Sequence, residues 1–364
     1  MKKRELMVFA GQSNMMGAAV YPPRDPARSQ HSFEYKHRDR RRFGRGTFVP
    51  AAHPAGEFSY VDLSLAYGEE YLSPDGKSRL TNYWDNTYFC PAMASLCSEE
   101  EKTLHRFIEF SEETMQGGAS LPPLLAREWE ARGGCCAYAH IAKGGMSIRH
   151  FLTAEMGGTY QSRINAYNAL HGTSLSCDPR LHDQQAGAAE YFLEKCRDFL
   201  AEAEEHFADE DTSEKIFVWL QGESDADCTA VEYETYLSVL WDSLKEIGFT
   251  KFFMLRIDIW GDPRIRAVMD AQERFCRRND DAYMMTRALS FIPYTEPTGL
   301  LSTVTDEYRL CRDNAYGFDN PHLNEKAFAL AAARVADNMV RVLREGREPL
   351  LEAERVTGLH YMED

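Results

Sequence analysis

The sequence predicts an α/β protein, a three-layer α/β/α sandwich built on a flavodoxin-like sheet of about five parallel strands. Short apolar runs alternate with longer segments whose apolar residues recur at helical spacing, and strands alternating with helices imply parallel pairing through right-handed crossovers. Several of the apolar runs also stop abruptly at glycine or a polar residue, as a buried strand does where it opens onto a loop at the carboxyl edge of such a sheet.

The first run, Leu6 to Ala10, breaks at Gly11 and presents Ser13 two residues later, with Gly17 letting the next segment pack close. From about 18 to 120 the pattern is irregular and holds neither a helical nor a strand period, so these residues are read as a long insertion after the first strand. Within it, Lys36 to Arg45 is strongly basic, and Tyr83, Trp84, Tyr88 and Phe89 cluster as core or as a sugar-stacking wall. Regular structure resumes at Ser120, where Pro122 and Pro123 fit a helix start and Leu124, Leu125 and Trp129 give its apolar face before Gly133 and Gly134 end it.

A strand from Cys135 to Ala142 follows, then a helix from His182 to Phe207, marked by Phe192, Cys196, Phe199 and Ala203, and a strand at Ile216 to Leu220. Beyond it come a helix at Tyr233 to Ile247, a strand at Lys251 to Ile257, a helix at Arg264 to Arg278 and a strand at Ala282 to Thr286. The last helix runs to about Arg344 with Asn324 as its N-cap. No repeat and no low-complexity linker interrupts the chain, so residues 1–364 are read as one domain carrying the insertion at about 18–120.

With 364 residues, of which 44% are hydrophobic and 27% charged, the chain can bury a sizeable core. A net charge of -16 disfavours nucleic acid and anionic membranes as partners, because both would be repelled. Lys2, Lys3 and Arg4 imitate the start of a secretion signal, but Gln12, Ser13 and Asn14 interrupt the apolar stretch behind them. No run reaches the roughly 18 apolar residues of a membrane span. Nine scattered cysteines without a Cys-x-x-Cys pair argue against a disulfide scaffold or a zinc knuckle. The expected setting is a reducing cytoplasm, with no metal and no cofactor.

Three blocks carry chemistry: Gly11-Gln12-Ser13-Asn14-Met15, Gln221-Gly222-Glu223-Ser224-Asp225, and Asp319-Asn320-Pro321-His322. Met15 stands where a Gly-x-Ser-x-Gly elbow would have its second glycine. Together and in this order the blocks resemble the SGNH-hydrolase superfamily, above all its sialate O-acetylesterase-like branch, which includes the acetylxylan esterases of carbohydrate esterase family 6. Gly144-Gly145-Met146-Ser147-Ile148 resembles the glycine block of that family. The resemblance implies a flavodoxin-like SGNH-hydrolase fold and a serine esterase that removes acetyl groups from a carbohydrate, a small-molecule or oligosaccharide ester of the sialic acid or xylan type.

On this reading Ser13 attacks the ester carbonyl, His322 takes and returns the proton, and Asp319, three residues before it, fixes the imidazole tautomer. Glu223 is the rival for that last role, or else orders its loop or binds substrate. Backbone N–H groups of Ser13 and of Gly144 or Gly145, with the side-chain amide of Gln221, would hold the oxyanion. Gln12, Asn14 and Arg149 are supporting or sugar-contacting candidates. An acyltransferase, a lipase or thioesterase, and a non-catalytic carbohydrate-binding protein are the alternatives, and the sequence leaves the sugar and the oligomeric state open.

Overall fold

The computed structural model describes residues 2–16, 27–36, 46–53, 61–62, 120–142, 145–176, 188–257, 264–291, 323 and 325–351. Its strands are β1 (Glu5–Gly11), β2 (Ala27–Lys36), β3 (Thr47–His53), β4 (Val61–Asp62), β5 (Cys136–Ala142), β6 (Lys215–Leu220), β7 (Lys251–Leu255) and β8 (Ala282–Thr286). They form one sheet in the order β3-β2-β5-β1-β6-β7-β8, with β4 also pairing β5. The run from β5 to β8 is parallel throughout. These are the five parallel strands expected from the sequence, in flavodoxin-like order.

The sheet extends further than expected. β2 and β3 form an antiparallel pair, and β2 joins β5 through Phe33↔Ala137 and Glu34↔Tyr138. β4 pairs with the carboxyl half of the same strand, Val61↔Ile141 and Asp62↔Ala142. Part of the span read as an irregular insertion therefore lies in the main sheet. Lys36 belongs to β2, while the rest of the basic stretch and Tyr83, Trp84, Tyr88 and Phe89 lie outside the described residues.

The central strands are legible because they are buried on both faces. Every residue of β1 and of β5 is buried, so apolar side chains follow one another without the alternation of a half-exposed sheet. The helices are α1 (Ser13–Met16), α2 (Leu121–Ala131), α3 (Ala154–His171), α4 (Ala188–His206), α5 (Ala230–Ile247), α6 (Ile265–Arg278) and α7 (Glu325–Met339). α2 packs on α7, while α3, α4 and α6 pack on α5. Right-handed crossovers through α3, α4, α5 and α6 put that group on one face of the sheet, and a crossover in the opposite direction into β5 puts α2, with α7 packed on it, on the other. Trp129, Trp219 and Trp241 are fully buried between the layers.

α3 was not foreseen. It buries only Met156, Gly157, Tyr160 and Ile164, so it lacks the continuous apolar stripe that marks the other long helices. Its ends are fixed locally instead. The Thr153 hydroxyl accepts the Met156 N–H at 3.3 Å, and Gly172 closes the helix with φ 63° in the left-handed region. Among the described residues no helix is long and apolar enough to cross a membrane.

Candidate active site

β5, β1 and β6 lie side by side, with Gly11 in register with Ala142 on one side and Leu220 on the other. Their carboxyl ends release the Gly145–Arg149, Gln12–Met15 and Gln221–Asp225 segments. The chain leaves β1 on one side for β5 and reaches β6 on the other, and a crevice forms where strand order reverses in this way.

The serine turn is held from three directions. Gly11 sits so close to β6 that a Cβ there would lie 1.9 Å from the carbonyl oxygen of Leu220, which explains glycine at the strand's last position. The Gln12 Oε1 accepts the Ser224 N–H at 3.3 Å. Asn14 donates from Nδ2 to Glu223 Oε1 at 2.8 Å and accepts at Oδ1 from the Leu323 N–H at 3.2 Å. His140, a polar residue inside buried β5, bonds through Nε2 to the Met15 carbonyl oxygen at 2.8 Å. Gln12, Asn14 and Met15 are buried, whereas Ser13 is half-buried, so its neighbours do the anchoring and the hydroxyl residue stays partly exposed at the carboxyl edge of the sheet.

The second block is a hydrogen-bonded hub. Gln221 is fully buried, and its Nε2 donates to the Met146 carbonyl at 2.9 Å and to Asp225 Oδ2 at 2.5 Å. Its Oε1 accepts the Tyr233 hydroxyl at 2.7 Å. The Tyr233 phenol is held protonated by burial, which raises its pKa well above the ordinary value. Gln272 donates to the Gln221 carbonyl at 2.9 Å and accepts the Ile257 N–H at 3.2 Å. Gly222 permits this packing, because a Cβ there would press within 2.7 Å of Ile257 and Val268 at a backbone φ of 147°.

Asp225, also fully buried, accepts from the Ser147 hydroxyl, from the Ile148 N–H at 3.0 Å and from Gln221. Burial raises its pKa, and the hydrogen bonds from Gln221, Ser147 and Ile148 and the charge of Arg149 oppose that rise. Arg149 donates to both oxygens of Asp227 at 3.2 and 3.1 Å and to Cys228 Sγ at 3.0 Å. Asp225, Asp227 and Cys228 bring ligand-type atoms within 4.8 Å of one another, the combination among the described residues that could hold a metal ion. The guanidinium of Arg149 already supplies a positive charge among them.

Of the residues singled out from the sequence, Gln12, Asn14, Gln221 and Glu223 are tied into one network by these bonds, and Ser13 lies in the chain between the first two. Gly145, at φ 73° with open space where a Cβ would stand, follows β5 at the same sheet edge. Gly144, Asp319 and His322 lie outside the described residues. Two side chains occupy different surroundings from those expected. The Gln221 amide hydrogens are given to Met146 and Asp225, not held open towards a ligand, and Arg149 is bound to Asp227. The anchoring roles of His140, Ser147 and Asp225 were missed. Asp225 stood inside a recognised block, and His140 was readable as a lone ionisable group in an apolar strand.

No protein-family model matches the chain, and neither does any curated protein. Solved structures do resemble it over most of its length. NanS is 13% identical, covering 94% of this chain and 98% of its own, with a TM-score of 0.48. A protein from Arabidopsis thaliana is 12% identical over 92% of this chain and 97% of its own, with a TM-score of 0.41. A novel carbohydrate acetylesterase from Xanthomonas citri is 12% identical over 94% of this chain and 57% of its own, with a TM-score of 0.40. Likenesses this distant transfer neither a residue role nor a substrate.

Proposed function

We propose that this protein is a serine esterase that removes acetyl groups from a carbohydrate through an acyl-enzyme. The observation that carries the reading is the hydrogen bond from the Leu323 N–H to Asn14 Oδ1, 3.2 Å long and 309 residues apart in sequence. The residue after Ser13 thus holds the residue after His322. A nucleophile and its base far apart in the chain need such a link, and the carboxyl edge of a parallel sheet is where it arises.

In this mechanism Ser13 Oγ attacks the ester carbonyl while His322 takes its proton. His322 returns the proton to the departing sugar hydroxyl, leaving acetyl-Ser13, which water hydrolyses to acetate and free serine. Asp319 orients the imidazole. Glu223, bonded to Asn14, is the rival for that role. The N–H groups of Ser13 and of Gly144 or Gly145 are assigned to the oxyanion in this scheme, and loss of one such donor typically costs about 100- to 1000-fold in rate. Gln221 serves as a buttress in this scheme, since its amide is already spent on Met146 and Asp225. The acetylated sugar belongs to the same proposal through the motif resemblance, and a reducing cytoplasm through the scattered cysteines.

Hydrolysis of 4-nitrophenyl acetate beside longer acyl esters tests it. Acetate-selective turnover that disappears in Ser13→Ala is expected, and turnover that persists in that variant would remove Ser13 from the mechanism.

A further inference from the structure

We infer that Asp225 is the positioning residue that locks the turn after β5 to the turn after β6, and so sets where the Gly145 N–H stands relative to Ser13. The inference deepens the serine-esterase reading and rests on it. Asp225 closes the short 3-10 turn Glu223–Asp225, its own N–H bonding to the Gly222 carbonyl at 3.0 Å. From there its carboxylate reaches across to the other loop. The Ser147 hydroxyl, the Ile148 N–H at 3.0 Å and the Gln221 amide at 2.5 Å all point at it as donors, with Arg149 Nη1 at 3.9 Å.

The second hydrogen of the same Gln221 amide holds the Met146 carbonyl at 2.9 Å. Three successive residues after Gly145 are therefore fixed by this one pair: Met146 by its carbonyl, Ser147 by its hydroxyl and Ile148 by its N–H. Behind them Gln221 cannot drift, because Gln272 holds its backbone carbonyl at 2.9 Å and the Tyr233 hydroxyl is shared between that carbonyl and Oε1. In front, Gln12 Oε1 accepts the Ser224 N–H, so the serine turn joins the same unit.

A side chain with two acceptor atoms and no donor suits a site ringed by donors. Loss of that side chain releases the Ser147 hydroxyl and the Ile148 N–H, and with them the middle of the Gly145–Arg149 segment, while leaving the sheet beneath it intact. A glycine N–H displaced by about 1 Å from the oxyanion costs on the order of 100-fold in rate.

The full chain and its Asp225→Ala, Asp225→Asn and Ser147→Ala variants are compared by 4-nitrophenyl acetate kinetics and by hydrogen exchange at residues 145–151. Asparagine keeps an oxygen for Ile148 and Gln221, and the Ser147 hydroxyl can turn to accept from its amide. Asp225→Ala is expected to lower kcat about 100-fold with little change in KM, and to speed exchange at Ile148 and Arg149 while α5 stays protected. Asp225→Asn is expected to restore most of both. Should Asp225→Ala fail to fold, Ser147→Ala carries the test, with a smaller loss of the same kind.

Unchanged exchange at 145–151, or faster exchange with normal kcat, would overturn the inference. So would an asparagine variant as inactive as alanine, which would mean that the charge itself matters. Absence of Ser13-dependent turnover in the unaltered chain would instead overturn the esterase reading, and the exchange measurement would still decide whether Asp225 holds the loop.

Discussion

Position 11 tolerates no side chain, since its Cβ would fall 1.9 Å from one backbone oxygen of β6 and 2.9 Å from the Cβ of Met15. Neither atom is the tip of a flexible chain, so Gly11→Ala must push β1 and β6 apart just below Ser13. We expect it to destabilise the fold by about 3 kcal/mol, read as a lower urea midpoint, and to depress Ser13-dependent turnover. Asn14 is the other sensitive position, because it satisfies Glu223 and Leu323 together. Asn14→Ala leaves a buried carboxylate oxygen and a backbone N–H without this partner, at a cost of about 1–3 kcal/mol in urea denaturation. Asn14→Asp keeps an acceptor for Leu323 but sets a second carboxylate against Glu223, and like charges at that distance disfavour ionisation. Turnover by Asn14→Asp should therefore fall further below the unaltered chain as pH rises from 5 to 8, whereas Asn14→Ala should show a constant deficit. The serine turn was readable in the sequence because glycine, serine and an apolar lead-in are local. What Asn14 and Arg149 do was not, since their partners lie 209 and 78 residues away and either residue could equally have met a sugar.

At the level of elements, legibility followed burial. β1, β5, β6, β7 and β8 are nearly continuous apolar runs because helices cover both faces, and α2, α4, α5, α6 and α7 show their apolar stripes at helical spacing. The elements that escaped are those whose order comes from somewhere else. β2 mixes Phe33 and Tyr35 with Ser32, Glu34 and Lys36, and it pays for the buried acid Glu34 with tertiary contacts that no local pattern reveals. Tyr35 likewise gives its hydroxyl to Glu202 of α4 at 2.7 Å. α3 is specified by its ends, Thr153 and Gly172, and not by its faces. Thr153→Ala should then cost about 1 kcal/mol, and hydrogen exchange should show the loss concentrated in the first turn of residues 154–171. An equal loss along the whole helix, or none, would mean that packing through Tyr160 and Ile164 sets its start instead.

Across the whole molecule, stability against pH is a balance of buried acids shifted in opposite directions. Glu5, at the start of β1, has its pKa raised by burial, with the Trp129 N–H opposing the rise. Its folded pKa lies above the unfolded one, so its contribution is complete below the unfolded value and declines as pH rises towards the folded value. Glu273 works the other way. Burial would raise its pKa, but Arg287 and Arg256 outweigh that and hold it below the ordinary 4.5. Its oxygens accept from Arg287 at 2.7 and 2.8 Å and from the buried Arg256 at 3.0 Å. Arg256 and Arg287 stand just beyond β7 and β8, so this carboxylate from α6 ties together the carboxyl ends of two strands. Its contribution is present above the unfolded pKa and is lost as pH falls through the folded one. Glu273→Gln removes one partner of a buried pair and should cost on the order of 3 kcal/mol at pH 7. Because the amide does not titrate, the same variant should also lose less stability than the unaltered chain between pH 5 and 3. Urea midpoints measured across that range would show two curves converging towards acid, and parallel curves would mean that Glu273 is not the group whose protonation opens this end of the sheet.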